Sequence, residues 1–185
     1  MIPCEVEGNS STDSKRVAET IAFDDGYYTL NQEEKLQLYA DFIASEADRL
    51  GIDPESIAIK PTITNDPLLN ASYVSESRTI YINVNAPMPY YGGNSPIMTL
   101  LHELFHAYEH DIVSEKIAPS DFDYGLSEHA DQWRIDMQNY VTAAQNVQEY
   151  AEQTLEIDAA DFAQQRSSEL VDLESYINSH NNMNS

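Results

Sequence analysis

Cysteine is nearly absent from this chain, since Cys4 is the only one among 185 residues. A single thiol excludes an internal disulfide framework, so a hydrophobic core must hold the fold, and a chain of this length has room for one. Long apolar runs are also lacking, and the first residues contain neither a basic stretch nor an apolar one. The sequence therefore predicts no transmembrane helix and no signal peptide. We expect a cytoplasmic protein, or a secreted one if a signal has been removed from its start.

Basic residues are scarce: nine Lys and Arg stand against 32 Asp and Glu, which gives a formal net charge of −23. The acidic residues are spread along the chain rather than gathered in a tail. A surface of this sign repels nucleic-acid phosphates and anionic membranes, and it attracts basic peptide segments. We therefore expect a peptide or protein partner, with basic segments favoured, and no nucleic-acid or membrane partner.

The most informative pattern is His102-Glu103-x-x-His106. Ser95 can cap a helix here, Pro96 suits its first position, and no glycine or proline interrupts the stretch. Residues four apart share one face of a helix, so both imidazoles can reach one metal ion. Glu103 lies about 100° round from His102, close enough to act on a metal-bound water without ligating the metal. The alternative is a buried helix whose two histidines hydrogen-bond within the core.

An N-terminal helix and a small β-sheet are predicted before this metal helix. Asn31 and Glu34 form a capping-box pattern ahead of an apolar stripe at helical spacing, and Gly51 ends the run. Alternating patterns predict a short strand at 56–59, whose continuation Pro61 limits to an edge or loop, and a hairpin of 71–74 and 79–84. The hairpin strand nearest the metal helix could add an extended peptide to its free edge. An ordinary structural strand explains the pattern equally well.

After the metal helix the sequence predicts a helix from near Ser127 and a longer last helix over roughly 148–179. The first 25 residues are polar and acidic, and although 15–22 could form a short helix, a flexible segment is favoured. We therefore expect a flexible N-terminal segment over 1–25, a single domain over 26–180 and a frayed tail over 181–185.

A hydrolytic zinc ion usually has three protein ligands and a water, so a third ligand is needed. His110 lies one turn beyond His106 on the same helix face and suits a tetrahedral ion poorly. His129, His180 and the many acids remain candidates. The surroundings of Glu156 differ from those of the other acids, because the alanines at 159, 160 and 163 allow the close helix approach that a ligand on a second helix needs.

The HELFH motif is followed by the pattern Tyr150-x-x-Gln153-x-x-Glu156-x-Asp158-Ala-x-x-Phe-Ala. The combination resembles the small gluzincin metallopeptidases called minigluzincins, and it is similar to ImmA/IrrE-type metallopeptidase domains, over roughly 57–166. The resemblance implies an α+β, zincin-like fold. In such a fold an N-terminal helix and a small sheet or hairpin pack on the HExxH helix, and a helical C-terminal part carries the glutamate ligand.

The resemblance also implies a set of site residues. His102 and His106 correspond to the imidazole ligands of Zn²⁺, Glu156 to the glutamate ligand, and Glu103 to the general base. Asp158 is the second choice of carboxylate ligand, and a supporting role behind the ligands is also open to it. Thr154 stands where relatives often have proline. No side chain matches the group that stabilises the oxyanion in larger gluzincins, for which the candidates are His129, Tyr124 and Tyr150.

The function implied is that of a zinc metallopeptidase, a gluzincin-type endopeptidase in which Glu103 activates a metal-bound water for hydrolysis of peptide bonds. The ligand types favour zinc without excluding iron, manganese or cobalt. One alternative is a latent or catalytically weak, metallopeptidase-like module that binds or regulates a protein, with a terminal segment filling the cleft in the latent case. Another is an acidic mimic of nucleic acid.

Overall fold

The computed structural model describes residues 10–23, 27, 29–64, 70–84 and 96–171. These residues form six α-helices and a three-stranded sheet, an α+β architecture that agrees with the predicted class. The helices and strands, in chain order, are α1 (Ser10–Phe23), α2 (Gln32–Arg49), β1 (Ala58–Thr62), β2 (Ala71–Val74), β3 (Thr79–Asn83), α3 (Pro96–Val113), α4 (Ala130–Gln138), α5 (Val147–Ala151) and α6 (Thr154–Leu170). Among the described helices, none combines the length and the apolar character needed to cross a bilayer.

The sheet has the strand order β1-β3-β2. Strands β2 and β3 form the predicted antiparallel hairpin, in which Tyr73 is the partner of Ile80, while β1 pairs with β3 in parallel. Strand β1 continues through Pro61 to Thr62, and it does so at an edge of the sheet, where the missing N–H of proline is tolerated. Strand β2 is the opposite edge of the sheet, and it contacts α3.

Helix α2 begins as the sequence predicts. The side chain of Asn31 accepts a hydrogen bond from the Glu34 N–H at 3.0 Å, and Glu34 Oε2 accepts one from the Asn31 N–H at 2.8 Å, so the capping box is confirmed. The helix ends at Arg49, and Gly51 follows with a φ of +77°, a left-handed conformation that glycine adopts without steric cost.

Part of the segment 1–25 that the sequence predicts as flexible is helical, as in the alternative of a short helix at 15–22. Residues 10–23 are helical and pack on α2, with Ala18 and Ile21 buried in the core. Such a short helix gains its stability from burying an apolar face, which local polarity and charge do not reveal. Residues 1–9, 24–26 and 181–185 lie outside the described part of the chain, and the predictions for them stay predictions.

The last helix, predicted as one element over roughly 148–179, is two helices, α5 and α6. The break has a physical cause in contacts from distant parts of the chain. The side-chain amide of Gln153 binds both the N–H and the C=O of Val141 at 2.9 Å, and Asp136 accepts from the Leu155 N–H at 3.2 Å. These contacts satisfy polar groups at a new helix start, so α6 begins at Thr154. It ends at Leu170, and residues after 171 lie outside the described part.

Helix α3 lies at the centre of the molecule, between the sheet and α6. The Phe105 ring stacks on that of Phe162 with centroids 4.6 Å apart and meets the Trp133 ring edge-on at 5.8 Å. These rings fix the spacing and the rotation of α3 relative to α4 and α6. The buried apolar residues of α3 are Ile97, Leu100, Leu101, Leu104, Phe105, Ala107, Tyr108 and Ile112.

Candidate metal centre

Helix α3 presents the two motif histidines side by side. The Nε2 atoms of His102 and His106 lie 3.1 Å apart, and their rings meet edge-to-face with centroids 4.7 Å apart. Their side chains keep 23% and 16% of their surface exposed, so one side of the pair is open to solvent. This is the arrangement that the four-residue spacing predicts on a helix.

Helix α6 brings Glu156 to this pair from 54 residues further along the chain. The small side chains of Ala159 and Ala163 are buried on the face toward α3, which lets the two helices approach closely. Glu156 Oε2 lies 3.2 Å from His102 Nε2 and 3.7 Å from His106 Nε2. The three predicted ligands are therefore together, with one donor atom from each within 4.8 Å of the others.

The spacing of these donor atoms suits a small divalent ion. The bonds from Zn²⁺ to nitrogen or oxygen ligands are about 2.0–2.1 Å, so two donors of a tetrahedral site lie about 3.3 Å apart. The three observed separations, 3.1, 3.2 and 3.7 Å, fall around that value. Two imidazoles and one carboxylate are also a donor set that zinc accepts. The residues thus fit the ion, and metal binding itself stays a prediction.

Neighbouring side chains leave the required donor atoms free. The hydroxyl of Tyr140 donates to Glu156 Oε1 at 2.7 Å, so the other carboxylate oxygen faces the imidazoles. The Nδ1–H of His106 donates to Oε2 of the fully buried Glu109 at 2.8 Å. Burial acts to lower the pKa of His106, but Glu109 and Glu156 outweigh burial and raise it, so the metal-free ring readily holds a proton on Nε2 as well. When that proton is lost, the contact with Glu109 keeps the Nδ1–H and leaves the Nε2 lone pair for a metal ion.

The electrostatics of the cluster favour a charged carboxylate at Glu156. Burial acts to raise the pKa of Glu156, but hydrogen bonds with His102 and His106 outweigh burial and lower the pKa far below its usual value. Burial, together with the hydrogen bond to Glu156, raises the pKa of Tyr140, so its hydroxyl keeps its proton as a donor. The centre therefore offers a carboxylate ligand at any ordinary pH.

Glu103 follows His102 in α3 and is not a member of the ligand group. After burial and Glu156, the charge of Glu103 also contributes to the raised pKa of Tyr140 and Tyr150, so it lies near the site. Its side chain is largely buried, and its Oε2 accepts a hydrogen bond of 2.6 Å from the backbone N–H of Tyr73. That N–H belongs to β2, the edge strand, so the strand fixes one oxygen of the carboxylate and leaves Oε1 for other chemistry. The position agrees with a general base that stands beside the metal ligands.

Several other predicted candidates lie outside the ligand group. Asp158, the second choice of carboxylate ligand, accepts from Trp133 Nε1–H at 2.7 Å and from His129 Nδ1–H at 2.8 Å. Asp158 is thus committed to orienting these two side chains, and neither Asp158 nor His129 joins the described cluster. The ring of His110 lies 6.0 Å from that of Tyr73, and His180 lies outside the described residues.

The tyrosines proposed for oxyanion stabilisation separate into two environments. Tyr124 packs against Phe162 in the core, with ring centroids 5.8 Å apart. Tyr150 lies at the site: its ring meets that of Tyr140 at 6.3 Å, and burial and the charge of Glu156 raise its pKa.

Two residues of the site were not predicted from the sequence. Glu109 follows His106 by three positions, so helical spacing already places it on the same face and could have revealed it. Tyr140 gives no such signal, because it reaches Glu156 from a loop that Gln153 holds through Val141.

Comparisons of the chain with protein-family models, with curated proteins and with solved structures gave no match. Support for a function therefore comes from the chemistry and geometry of the site.

Proposed function

We propose that the protein is a zinc-dependent metallopeptidase with a zincin-like fold, related in its site to the minigluzincins that its motifs resemble. One observation carries the proposal. Donor atoms of His102, His106 and Glu156 lie 3.1–3.7 Å from one another, and the largely buried Glu103 follows His102 in the same helix. Two metal-ligating imidazoles, a carboxylate ligand and a separate general base are the parts that metal-assisted hydrolysis requires.

Each residue of the site has a separate role in the proposed hydrolysis. His102, His106 and Glu156 would hold the ion, which when bound supplies a Lewis acid and a water of lowered pKa. Glu103 accepts the proton of the attacking water and returns it to the leaving amine. The Tyr73 N–H holds the Glu103 carboxylate in one orientation. In the described part of the chain no strand pairs with the outer edge of β2, so an extended peptide could pair there through the backbone groups other than the Tyr73 N–H, which Glu103 occupies.

The test combines metal analysis with peptide hydrolysis. We expect the wild-type chain to bind one equivalent of zinc and to cleave a mixture of fluorogenic peptides. Glu103→Gln should keep the zinc and lose about 10²–10⁴-fold in turnover, the contribution of a general base. His102→Ala and Glu156→Ala should lose the zinc itself, because each removes a ligand.

A matched control is Glu149→Ala, which removes an exposed acid seven residues before Glu156 and should change neither metal content nor turnover. Full zinc retention in Glu156→Ala would contradict the ligand assignment. Zinc binding by the wild type without hydrolysis of any peptide would instead favour the protein-binding or regulatory module.

A further inference from the structure

A cavity of about 410 Å³ opens beside the candidate metal centre. Its wall includes His106, a candidate ligand, and Tyr140, which donates a hydrogen bond to the candidate ligand Glu156, so the cavity adjoins the ligand group. Residues of β2 and of the turn after it also line the cavity. This volume lies in the range of pockets that receive small ligands or single side chains.

The walls of the cavity are partly apolar. Val74, Met137 and Leu155 line it, and they come from the end of β2, from α4 and from the start of α6. Apolar walls of this kind accept the methylene stem of a long side chain, provided that polar groups receive its end.

Two buried polar atoms of the lining residues have no hydrogen-bond partner within the described part of the chain. They are Glu109 Oε1 and the hydroxyl of Tyr73. The other oxygen of Glu109 is occupied by His106, and the Glu109 side chain is 0% exposed. Buried polar groups are nearly always paired, so these two atoms point to a ligand group that supplies hydrogen-bond donors.

The lining contains two acids, and burial raises the pKa of one of them, Glu109, to about 8. Glu76, in the turn between β2 and β3, lines the cavity as an exposed carboxylate, and Glu109 is the second acid. Lys and Arg are absent from the described lining. The nearby cations Arg78 and Lys116 are both bound to Asp111, at 2.6 and 3.2 Å. Burial lowers the pKa of His110, the remaining titratable group of the wall besides His106 and the tyrosines, so it carries no charge at neutral pH.

We infer that this cavity is a specificity pocket for a lysine or arginine side chain of a peptide substrate. Val74, Met137 and Leu155 would pack on the methylene stem. Glu109 Oε1 and the Tyr73 hydroxyl would accept the N–H groups, with Glu76 at the mouth of the pocket. The net charge of −23 draws basic peptides toward the same site. The inference rests on the proposed peptidase function.

The first experiment compares peptides that are identical except at one residue next to the cleavable bond. That residue is lysine, arginine, or norleucine, which has the same stem without the charge. We expect kcat/KM to be about tenfold or more higher for the two basic peptides, the gain typical of hydrogen bonds to a charged group. Equal values, or a preference for norleucine, would overturn the pocket assignment.

Tyr73→Phe separates ligand binding from structure, because it removes the unpaired hydroxyl and keeps the backbone N–H that contacts Glu103. Loss of an unpaired buried hydroxyl should leave the thermal midpoint unchanged or raise it. The lysine-to-norleucine ratio of kcat/KM should nevertheless fall several-fold. A purely structural hydroxyl would leave that ratio as it is, and this result would count against the pocket.

Glu76→Gln should also lower the lysine-to-norleucine ratio of kcat/KM. The decrease should be larger at low salt, where the attraction between Glu76 and the lysine is less screened. The matched control is Glu19→Gln, which makes the same change at an exposed acid of α1 and should leave the ratio unaltered.

Binding to metal-loaded Glu103→Gln distinguishes failure of the pocket from failure of the peptidase proposal. The Kd values of the same lysine and norleucine peptides are measured by fluorescence anisotropy. Tighter binding of the lysine peptide, without hydrolysis by the wild type, would keep the pocket and overturn the peptidase. Hydrolysis by the wild type, with equal Kd and equal kcat/KM for the lysine and norleucine peptides, would support the peptidase proposal and overturn the pocket. The absence of both binding and hydrolysis would overturn both proposals.

Discussion

At the scale of single residues, two of the three candidate ligands are held by side chains that lie outside the ligand group. A carboxylate has two oxygens, and the hydroxyl of Tyr140 occupies Oε1 of Glu156 while Oε2 faces the imidazoles. Glu109 does the same for His106 by taking the Nδ1–H. These contacts restrict Glu156 and His106 to one orientation each, which would lower the entropy lost when a metal ion binds.

Tyr140→Phe tests this role. We expect the zinc Kd to rise about tenfold, since loss of a hydrogen bond to a ligand typically weakens metal affinity by about 10–100-fold. The measurement is a competition titration against a chromogenic chelator. Tyr81→Phe, a partly buried tyrosine of β3, is the control and should leave the Kd unchanged. An unaltered Kd in Tyr140→Phe would mean that the hydroxyl does not orient the ligand.

At the scale of secondary-structure elements, one ion pair joins the first part of the fold to the last. Arg166 of α6 donates from Nε and Nη2 to the two oxygens of Glu46 in α2, both at 2.7 Å, across 120 residues of sequence. Both side chains are buried, at 6% and 1% exposure. Arg166 also reaches Glu169 at 2.8 Å. The pair therefore fixes how α2 and α6 meet, and α6 is the helix that carries Glu156.

Glu46→Ala should lower the free energy of unfolding by about 3 kcal/mol, because it leaves the Arg166 charge buried with only the partly exposed Glu169 beside it. Urea unfolding monitored by circular dichroism measures the change. The double variant Glu46→Leu with Arg166→Met should recover much of the loss, since well-packed apolar residues can replace a buried pair.

Asp131→Asn is the control, because the ion pair of Asp131 with Arg134 is exposed. Its loss should not measurably change the free energy of unfolding. A Glu46→Ala variant as stable as the wild type would show that the buried pair does not hold the two helices together.

At the scale of the whole molecule, the net charge of −23 acts against the compact state through repulsion among the acids. At 0.1 M salt, interactions between exposed charges more than about 10 Å apart are largely screened. We therefore expect the thermal midpoint to rise by about 3 °C between about 0.02 M and about 0.5 M NaCl, the shift that about 1 kcal/mol gives in a chain of this size. Differential scanning calorimetry measures it.

The same scan in excess chelator separates this effect from any change in metal occupancy. A midpoint that falls with added NaCl would show that attractive ion pairs, rather than the repulsion of the net charge, dominate the electrostatics.

By itself the sequence determined the features that depend on neighbours along the chain. The capping box at Asn31, the β2–β3 hairpin and the shared face of His102 and His106 follow from the periodicity of a helix or a strand, which spans only a few residues. The nearby alanines set Glu156 apart from the other 31 acids, but its assignment as a ligand came from a resemblance, because small neighbours alone do not identify a metal ligand.

Tertiary structure alone decided what depends on distances between remote segments. It packs the polar α1 onto α2, breaks the last helix where Gln153 binds Val141, and brings the loop that holds Tyr140 to Glu156. Among the residues that the structure describes, it also leaves Glu109 Oε1 and the Tyr73 hydroxyl without a hydrogen-bond partner at one cavity. The physical reason is that burial and hydrogen-bond partners are set by the packing of the whole chain, while local patterns set only the conformation of each element.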